Sequence, residues 1–363
     1  MEAIPMVDLK SQYLAIQKDI DTAIAQCLMD ADFIQGKSVT QFEKSLCDYT
    51  GIQHCVACGN GTDALQLALM SLDLPKGSKI LVPAFTYIAP VEVIAFLGYE
   101  PVFADVATDF NVSLETIKTV LKKDIKAIIV VHLFGQPCKD IDAIYNLCKT
   151  ENIALIEDNA QSLGAEKNIK RNSLITTSFY PTKNLGAFGD GGAVFCNNME
   201  TADKIRQIAS HGQRKKYIHD RIGINSRLDS IQATILNVKL QQLNTYNSKR
   251  RTHAAYYHKR LKHLTTLELP EITDNHIFHQ FTLKVKNGKR NELEEFLKQK
   301  NISTIINYPL PAYKQLAYLQ DIHLLQTESF CAAALSIPVY PEISETQLSY
   351  ICDSIEEFFR LHD

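Results

Sequence analysis

No uninterrupted apolar run in this sequence approaches the ~20 residues a helix needs to span a bilayer, so no membrane-spanning helix is expected. A basic excess is missing too. Lys and Arg number 38 against 41 Asp and Glu, a net charge of −3, which speaks against the strongly basic face of a nucleic-acid binder. The opening Met1-Glu2-Ala3-Ile4-Pro5 lacks the basic-then-apolar order of a secretory signal. Nine cysteines, an odd number, are scattered along the chain, which points to reduced thiols and a cytoplasmic protein. Cys55-Val56-Ala57-Cys58 has no second pair and no histidines at ligand spacing nearby, so a zinc site is not indicated and no metal is expected. The pair sits in an apolar, strand-like run, whereas a redox CxxC usually opens a helix, and both are read as core cysteines. There is no internal repeat and no low-complexity tract.

What is present is the balance of an ordinary globular protein: 363 residues, 45% hydrophobic and 22% charged. That length suggests two structural units, since a single core rarely serves more than ~250–300 residues. Short apolar runs alternate with helix-period stretches, the α/β signature. Strands are expected at His54–Cys58, Lys79–Val82, Pro101–Ala104, Ala127–His132, Ile153–Glu157, Thr176–Tyr180 and Ala193–Cys196, with helices such as Thr62–Leu72 and Asp140–Lys149 between them. Ser230–Leu261 reads as one long helix. Beyond Pro270 come a Phe281–Val285 strand, an Asn291–Gln299 helix and a terminal helix near Glu345–Leu361. The expected organisation is a large α/β domain over 1–245, then the linking helix and a small α+β domain over 246–363.

Ligands of open parallel sheets collect beyond the carboxyl ends of the strands, so the residues after each strand carry the functional signal. After the first comes Gly59-Asn60-Gly61-Thr62-Asp63-Ala64-Leu65, where glycines permit a tight turn and the next helix offers free N–H groups to an anion. The segment also satisfies the dinucleotide fingerprint G-x-G-x-x-A. A nicotinamide enzyme would need an acid about 20 residues on, where Leu81-Val82-Pro83-Ala84-Phe85 has none. A purely structural strand–helix turn is the other reading. Ile153–Ile156 leads into Glu157-Asp158-Asn159-Ala160-Gln161. A carboxylate ending an apolar strand risks burial and then needs a cation or several donors. A protonated pyridine nitrogen is one such cation, and a local Arg or Lys is another. Thr176 to Lys183 is followed by Asn184-Leu185-Gly186-Ala187-Phe188-Gly189-Asp190-Gly191-Gly192: a lysine between a strand and a glycine-rich loop. Crowded glycine suggests close backbone approach, and a desolvated lysine amine suits Schiff-base chemistry, although most lysines are simply solvated. Phosphate cradle, acid and lysine together meet the needs of pyridoxal 5'-phosphate (PLP) far better than those of a nicotinamide.

On Gly59–Leu65, Pro83–Tyr87, Glu157–Gln161, Ser178–Gly192 and Gly223–Asp229, the sequence resembles the DegT/DnrJ/EryC1/StrS family of sugar-nucleotide aminotransferases, fold-type I PLP enzymes with a large mixed-sheet α/β domain and a smaller C-terminal α+β domain. The resemblance implies a covalent imine between Lys183 and PLP, Asp158 on the pyridine nitrogen and Gln161 near the ring hydroxyl. It further implies Tyr87 stacked on the ring, with Gly61, Thr62, Asp63, Ser178 and a neighbouring subunit's Asn225 around the phosphate, hence a homodimer. The stretch from His211 to Ala233 resembles enzymes that aminate C3 of UDP-linked 3-keto sugars with L-glutamate, in surface-polysaccharide or lipopolysaccharide synthesis. Substrate contacts are then expected from Arg227, Asn307 and Tyr308. Asn307 stands where the pattern has histidine, which removes a cation from a sugar-facing loop, and Asn159 where alanine is commoner. UDP-3-keto-N-acetylglucosamine, its uronate and a dTDP-6-deoxy-3-keto sugar therefore stay open as substrates. A PLP sugar dehydratase would carry histidine in place of Lys183. A non-catalytic regulator would usually have lost the lysine or gained a DNA-binding segment.

Overall fold

The apolar runs form a seven-stranded sheet in a computed structural model that describes residues 3–362. Met1 and Glu2 of the opening segment, and Asp363, lie outside the described residues. The strands are β1 (His54–Cys58), β2 (Lys79–Pro83), β3 (Glu100–Ala104), β4 (Ile125–Val131), β5 (Ala154–Asp158), β6 (Leu174–Ser178) and β7 (Gly192–Cys196). All seven expected strands are there, with ends displaced by no more than two residues. Their spatial order is β1-β7-β6-β5-β4-β2-β3, and β7 runs antiparallel to both neighbours in an otherwise parallel sheet.

Both faces of this sheet are covered, and β1 shows how. Side chains alternate along a strand. Val56 and Cys58 enter one buried cluster with Leu65, Ala68 and Ile205. Cys55 and Ala57 enter another with Phe42, Leu46 and Leu236. Cys55 and Cys58 therefore point to opposite sides of the sheet, and all nine cysteines are free thiols.

The register then places the site. Cys58 and Ser178 both face Gly192, while Asp158 faces Thr176 on one side and Val131 on the other. The carboxyl ends of β1, β4, β5 and β6 thus share one edge of the sheet, where Asn60–Asp63, Leu133–Gly135, Asp158–Gln161 and Ser178–Lys183 emerge.

The expected long helix is two helices, Ser230–Leu240 and Leu243–Leu261. The Gln242 N–H bonds the Lys239 carbonyl three residues back, a tightened turn that ends the first helix without glycine or proline. A small hairpin, β8 (Gln213–Lys215) and β9 (Ile218–His219), precedes them. The carboxyl-terminal part holds a second sheet, β10 (Leu267–Glu268), β11 (Phe281–Val285) and β12 (Ala334–Ile337), all antiparallel. Its core joins Tyr257 and Leu261 of the long helix to Leu283, Leu293, Ile351 and Ile355. Full burial of such a side chain stabilises by about 1.5–3 kcal/mol. Ile4 is buried in the same core and bridges to Ile302, so the first described residues pack with the last third of the chain. Among the described residues no helix is long and apolar enough to cross a membrane.

Candidate active site

Lys183 sits half-buried in the turn after β6, where its N–H bonds the Tyr180 carbonyl at 2.8 Å. The glycines around it are needed for packing: the Pro181 backbone occupies the space where Gly186 would carry a Cβ. Burial pulls the Lys183 amine below the ordinary lysine range, and the negative charge of Asp158 only partly offsets this.

Asp158 ends β5 with 7% of its surface exposed. Burial pushes its carboxyl up, against the opposing pull of the Ala160 N–H at 3.0 Å and of the charge on Lys183. That N–H is the only hydrogen bond to its carboxylate among the described residues. It is a carboxylate short of a cation, and a protonated ring nitrogen would supply one.

Gln161 is oriented from behind: its Oε1 accepts the Phe134 N–H at 2.7 Å, and its Nε2 lies 3.4 Å from the Tyr308 hydroxyl. Phe134 does this from a left-handed conformation, φ 58°, which is uncommon for so bulky a residue. Burial pushes the Tyr308 hydroxyl far up. Its ring lies 5.6 Å from Phe85 and 6.5 Å from Tyr87, which is exposed at the rim. Asn307 turns its amide to Ser336 on β12, at 3.5 Å.

The cradle is built from the other side. Asn60 caps helix Gly61–Ser71 by accepting the Asp63 N–H at 2.8 Å, leaving the Gly61 and Thr62 N–H groups without partners among the described residues. A Cβ on Gly61 would stand 2.6 Å from Ser178 Cβ, so the helix start and the end of β6 close to a gap only glycine allows. Ser226 joins this wall: its Oγ accepts the Gly59 N–H at 3.0 Å and donates to the Asp63 carboxylate at 2.5 Å. Asp63 is thereby engaged as a tie between two loops. Asn225 is exposed and Arg227 half-buried on either side of Ser226.

Sequence reading missed the support beneath these residues. Glu157 is fully buried and accepts Arg171 Nε and Nη2 at 3.1 and 3.0 Å, Ser173 Oγ at 2.5 Å and His132 Nε2 at 3.1 Å. His132 Nδ1 accepts the Cys138 N–H at 3.0 Å, so its proton is on Nε2, toward Glu157. Burial raises the Glu157 carboxyl, but His132 and Arg171 outweigh it and hold it at about 2. His132, Glu157 and Glu166 bring ligand atoms within 4.8 Å of one another, and Arg171 is the cation among them. The only sequence signal was two adjacent acids at a strand end. Which of them faced the cleft followed from strand alternation alone, and the arginine 14 residues on carried no mark.

A cradle that a Cβ would fill, two N–H groups without partners among the described residues, a buried acid with no cation hydrogen-bonded to it and a desolvated lysine fit PLP, whose phosphate Gly61, Thr62 and Ser178 would hold, with Asp158 toward the ring nitrogen and Lys183 toward the aldehyde. Comparison with known proteins agrees in kind. The sequence pattern of the DegT/DnrJ/EryC1/StrS aminotransferase family matches residues 14–356. The chain is 38% identical to a pleiotropic regulatory protein of Geobacillus stearothermophilus (98% of this chain, 99% of the relative). It is 37% identical to UDP-2-acetamido-2-deoxy-3-oxo-D-glucuronate aminotransferase of Pseudomonas aeruginosa (97% and 99%). It is 38% identical to the UDP-N-acetyl-3-dehydro-alpha-D-glucosamine 3-aminotransferase of Acidithiobacillus ferrooxidans (97% of each). The crystal structure of S. venezuelae DesV in complex with a ketimine intermediate superposes with a TM-score of 0.94 at 32% identity over 99% of both chains.

Proposed function

This chain belongs to the DegT/DnrJ/EryC1/StrS aminotransferase family, is a PLP-dependent sugar-nucleotide aminotransferase, and on that premise we propose that it moves the amino group of L-glutamate to C3 of a UDP-linked 3-keto sugar, UDP-3-keto-N-acetylglucosamine or its uronate. The observation that carries the catalytic part is the pairing of a desolvated lysine with a buried acid at neighbouring strand ends, beside a glycine-lined anion cradle. Support for the sugar comes from the two UDP-sugar relatives.

When bound, PLP supplies an aldehyde that takes up amines and an electron-poor ring that accepts the electron pair of a breaking C–H bond. The chain's own residues do the rest. Asp158 would face the ring nitrogen and favour its protonated form, an effect strengthened by burial. Lys183 would hold the aldehyde carbon and be released from it by the amino donor. Its amine, made less basic by burial, would be the group that takes the proton from the donor's α-carbon and delivers it to the former aldehyde carbon. The Gly61 and Thr62 N–H groups and the Ser178 hydroxyl would hold the phosphate. The sugar is assigned to Tyr308, which lies beside Gln161 and Tyr87, to Arg227 next to Ser226, and to Asn307 in the same loop as Tyr308. Asn225 of a neighbouring subunit completes the phosphate site of a homodimer.

The test is product mass spectrometry after offering the holoenzyme L-glutamate with UDP- and dTDP-linked 3-keto sugars. An amino sugar on a UDP carrier, with 2-oxoglutarate released in equal amount, is expected. Amination of dTDP sugars alone would overturn the UDP assignment, and no amine on any sugar would overturn the activity.

A further inference from the structure

Lys183 is followed by Asn184, and Asn184 is one link in a buried chain of side chains that the mechanism above does not use. Asn247, on helix Leu243–Leu261, donates from Nδ2 to the Leu163 carbonyl at 3.3 Å. Asn184 donates from Nδ2 to Asn247 Oδ1 at 2.8 Å. His279 Nδ1 lies 2.9 Å from Asn184 Oδ1. The exposures of His279, Asn184 and Asn247 are 7%, 5% and 2%.

The direction of every bond in this chain is forced from its far end. A backbone carbonyl only accepts, so Asn247 must turn its NH2 to Leu163 and its oxygen to Asn184. Asn184 must then turn its own NH2 to Asn247 and its oxygen to His279. An amide oxygen also only accepts, so the His279 hydrogen is on Nδ1 and its Nε2 carries a lone pair. Burial, with the positive charges of Lys183 and Arg250, keeps this imidazole neutral.

The backbone of His279 is pinned as firmly. Arg250 Nη1 donates to the Phe278 and His279 carbonyls at 3.3 Å each. Ile277 N–H bonds the Gly135 carbonyl at 2.9 Å and Gln280 N–H the Phe134 carbonyl at 3.2 Å. A Cβ on Gly135 would come within 2.6 Å of the His279 nitrogen. The turn that orients Gln161 therefore also seats His279.

We propose that His279 is a positioning residue for Lys183: the chain from Leu163 through Asn247 and Asn184 fixes the ring in its Nδ1–H form, and the ring in turn clamps the residue that follows the lysine. The seam between the long helix, the Phe134–Gly135 turn and the lysine loop is locked in this way, and the lysine has a neutral polar neighbour instead of a second cation. This inference rests on the reading that Lys183 holds the cofactor.

The test follows the bound cofactor's absorbance against pH, with steady-state rates, for the wild-type holoenzyme and for His279→Leu and His279→Asn. An asparagine amide puts a neutral N–H where Nδ1–H lies, and leucine puts none. His279→Leu is expected to lower the pH midpoint of the cofactor band by about one unit, since its apolar side chain disfavours the nearby positive charge. Its kcat is expected to fall about tenfold with KM for glutamate changed less than about threefold. His279→Asn is expected to return the midpoint to within about 0.3 units of wild type. Should His279→Leu fail to fold, Asn247→Leu, which cuts the chain at its far end, is expected to shift the midpoint in the same direction. A wild-type midpoint and kcat in His279→Leu, equal shifts in both His279 variants, or an Asn247→Leu effect confined to Tm would overturn the proposal. A wild-type holoenzyme labelled by borohydride at a lysine other than 183 would instead overturn the reading beneath it.

Discussion

At the scale of single residues, charge and burial explain both what the cleft can do and where the protein is sensitive to acid. Lys183 and Asp158 shift in opposite directions from one cause, desolvation, which disfavours the charged form of each. His276 is a separate case, 2% exposed and stacked on Phe278 at 3.7 Å. Burial depresses it from 6.5 to about 4. A base with a depressed pKa in the folded state is protonated first in the unfolded chain. Its contribution is therefore complete above pH 6.5 and is lost as pH falls toward 4, up to roughly 3 kcal/mol. The melting temperature of the wild type is expected to drop across that window, and that of His276→Phe to drop less. Equal slopes would refute the assignment.

Some residues were legible in the sequence because they stand where strands stop. Lys183, Asp158 and Gly61 are each marked by an apolar run on one side and turn residues on the other. Their supports had no such mark. His279 and Asn184 meet across 95 positions, Asn184 and Asn247 across 63, and Arg171 and Glu157 across 14, with no periodicity to announce any of these contacts. Polar partners buried by tertiary packing leave no local pattern.

At the scale of elements, the cradle depends on how closely helix Gly61–Ser71 meets the end of β6. Gly61→Ala would drive a methyl to 2.6 Å from Ser178 Cβ. One of the two must retreat, and the free N–H groups move with the helix start. Cofactor affinity is expected to fall by about tenfold or more, read as a rise in the PLP concentration needed to restore activity to the apo chain. Unchanged affinity would mean that the phosphate lies elsewhere. Strands were read nearly to the residue because their apolar runs are short and bounded by glycine or polar turns. The break at Gln241–Gln242 escaped because glutamine is a good helix former and the tightened turn is made by backbone bonds alone. The antiparallel course of β7 was also hidden, since apolar content does not encode direction.

At the scale of the whole molecule, one edge of the sheet collects Gly61, Asp158 and Lys183, while Asn225, Tyr217 and Ile222 are exposed. The proposed homodimer with shared sites makes a stoichiometric prediction. Lys183→Ala and Asn225→Ala chains are each expected to be impaired alone. Mixed and re-associated, half the dimers are mixed and one of their two sites regains both residues, giving about a quarter of wild-type activity. No recovery on mixing would place Asn225 in its own subunit's site or outside catalysis. The docking of Ile4 beside Ile302 was not legible in the sequence, because a lone strand bridge has no sequence signature.

The central claim is that the lysine after β6 is the residue that carries PLP. Reduction of the holoenzyme with borohydride, followed by proteolysis and peptide mass analysis, tests it most directly. A pyridoxyl group on Lys183, within the Ser178–Gly192 segment, is the expected result. A pyridoxyl group on any other lysine, or none on a protein that turns over, would contradict it.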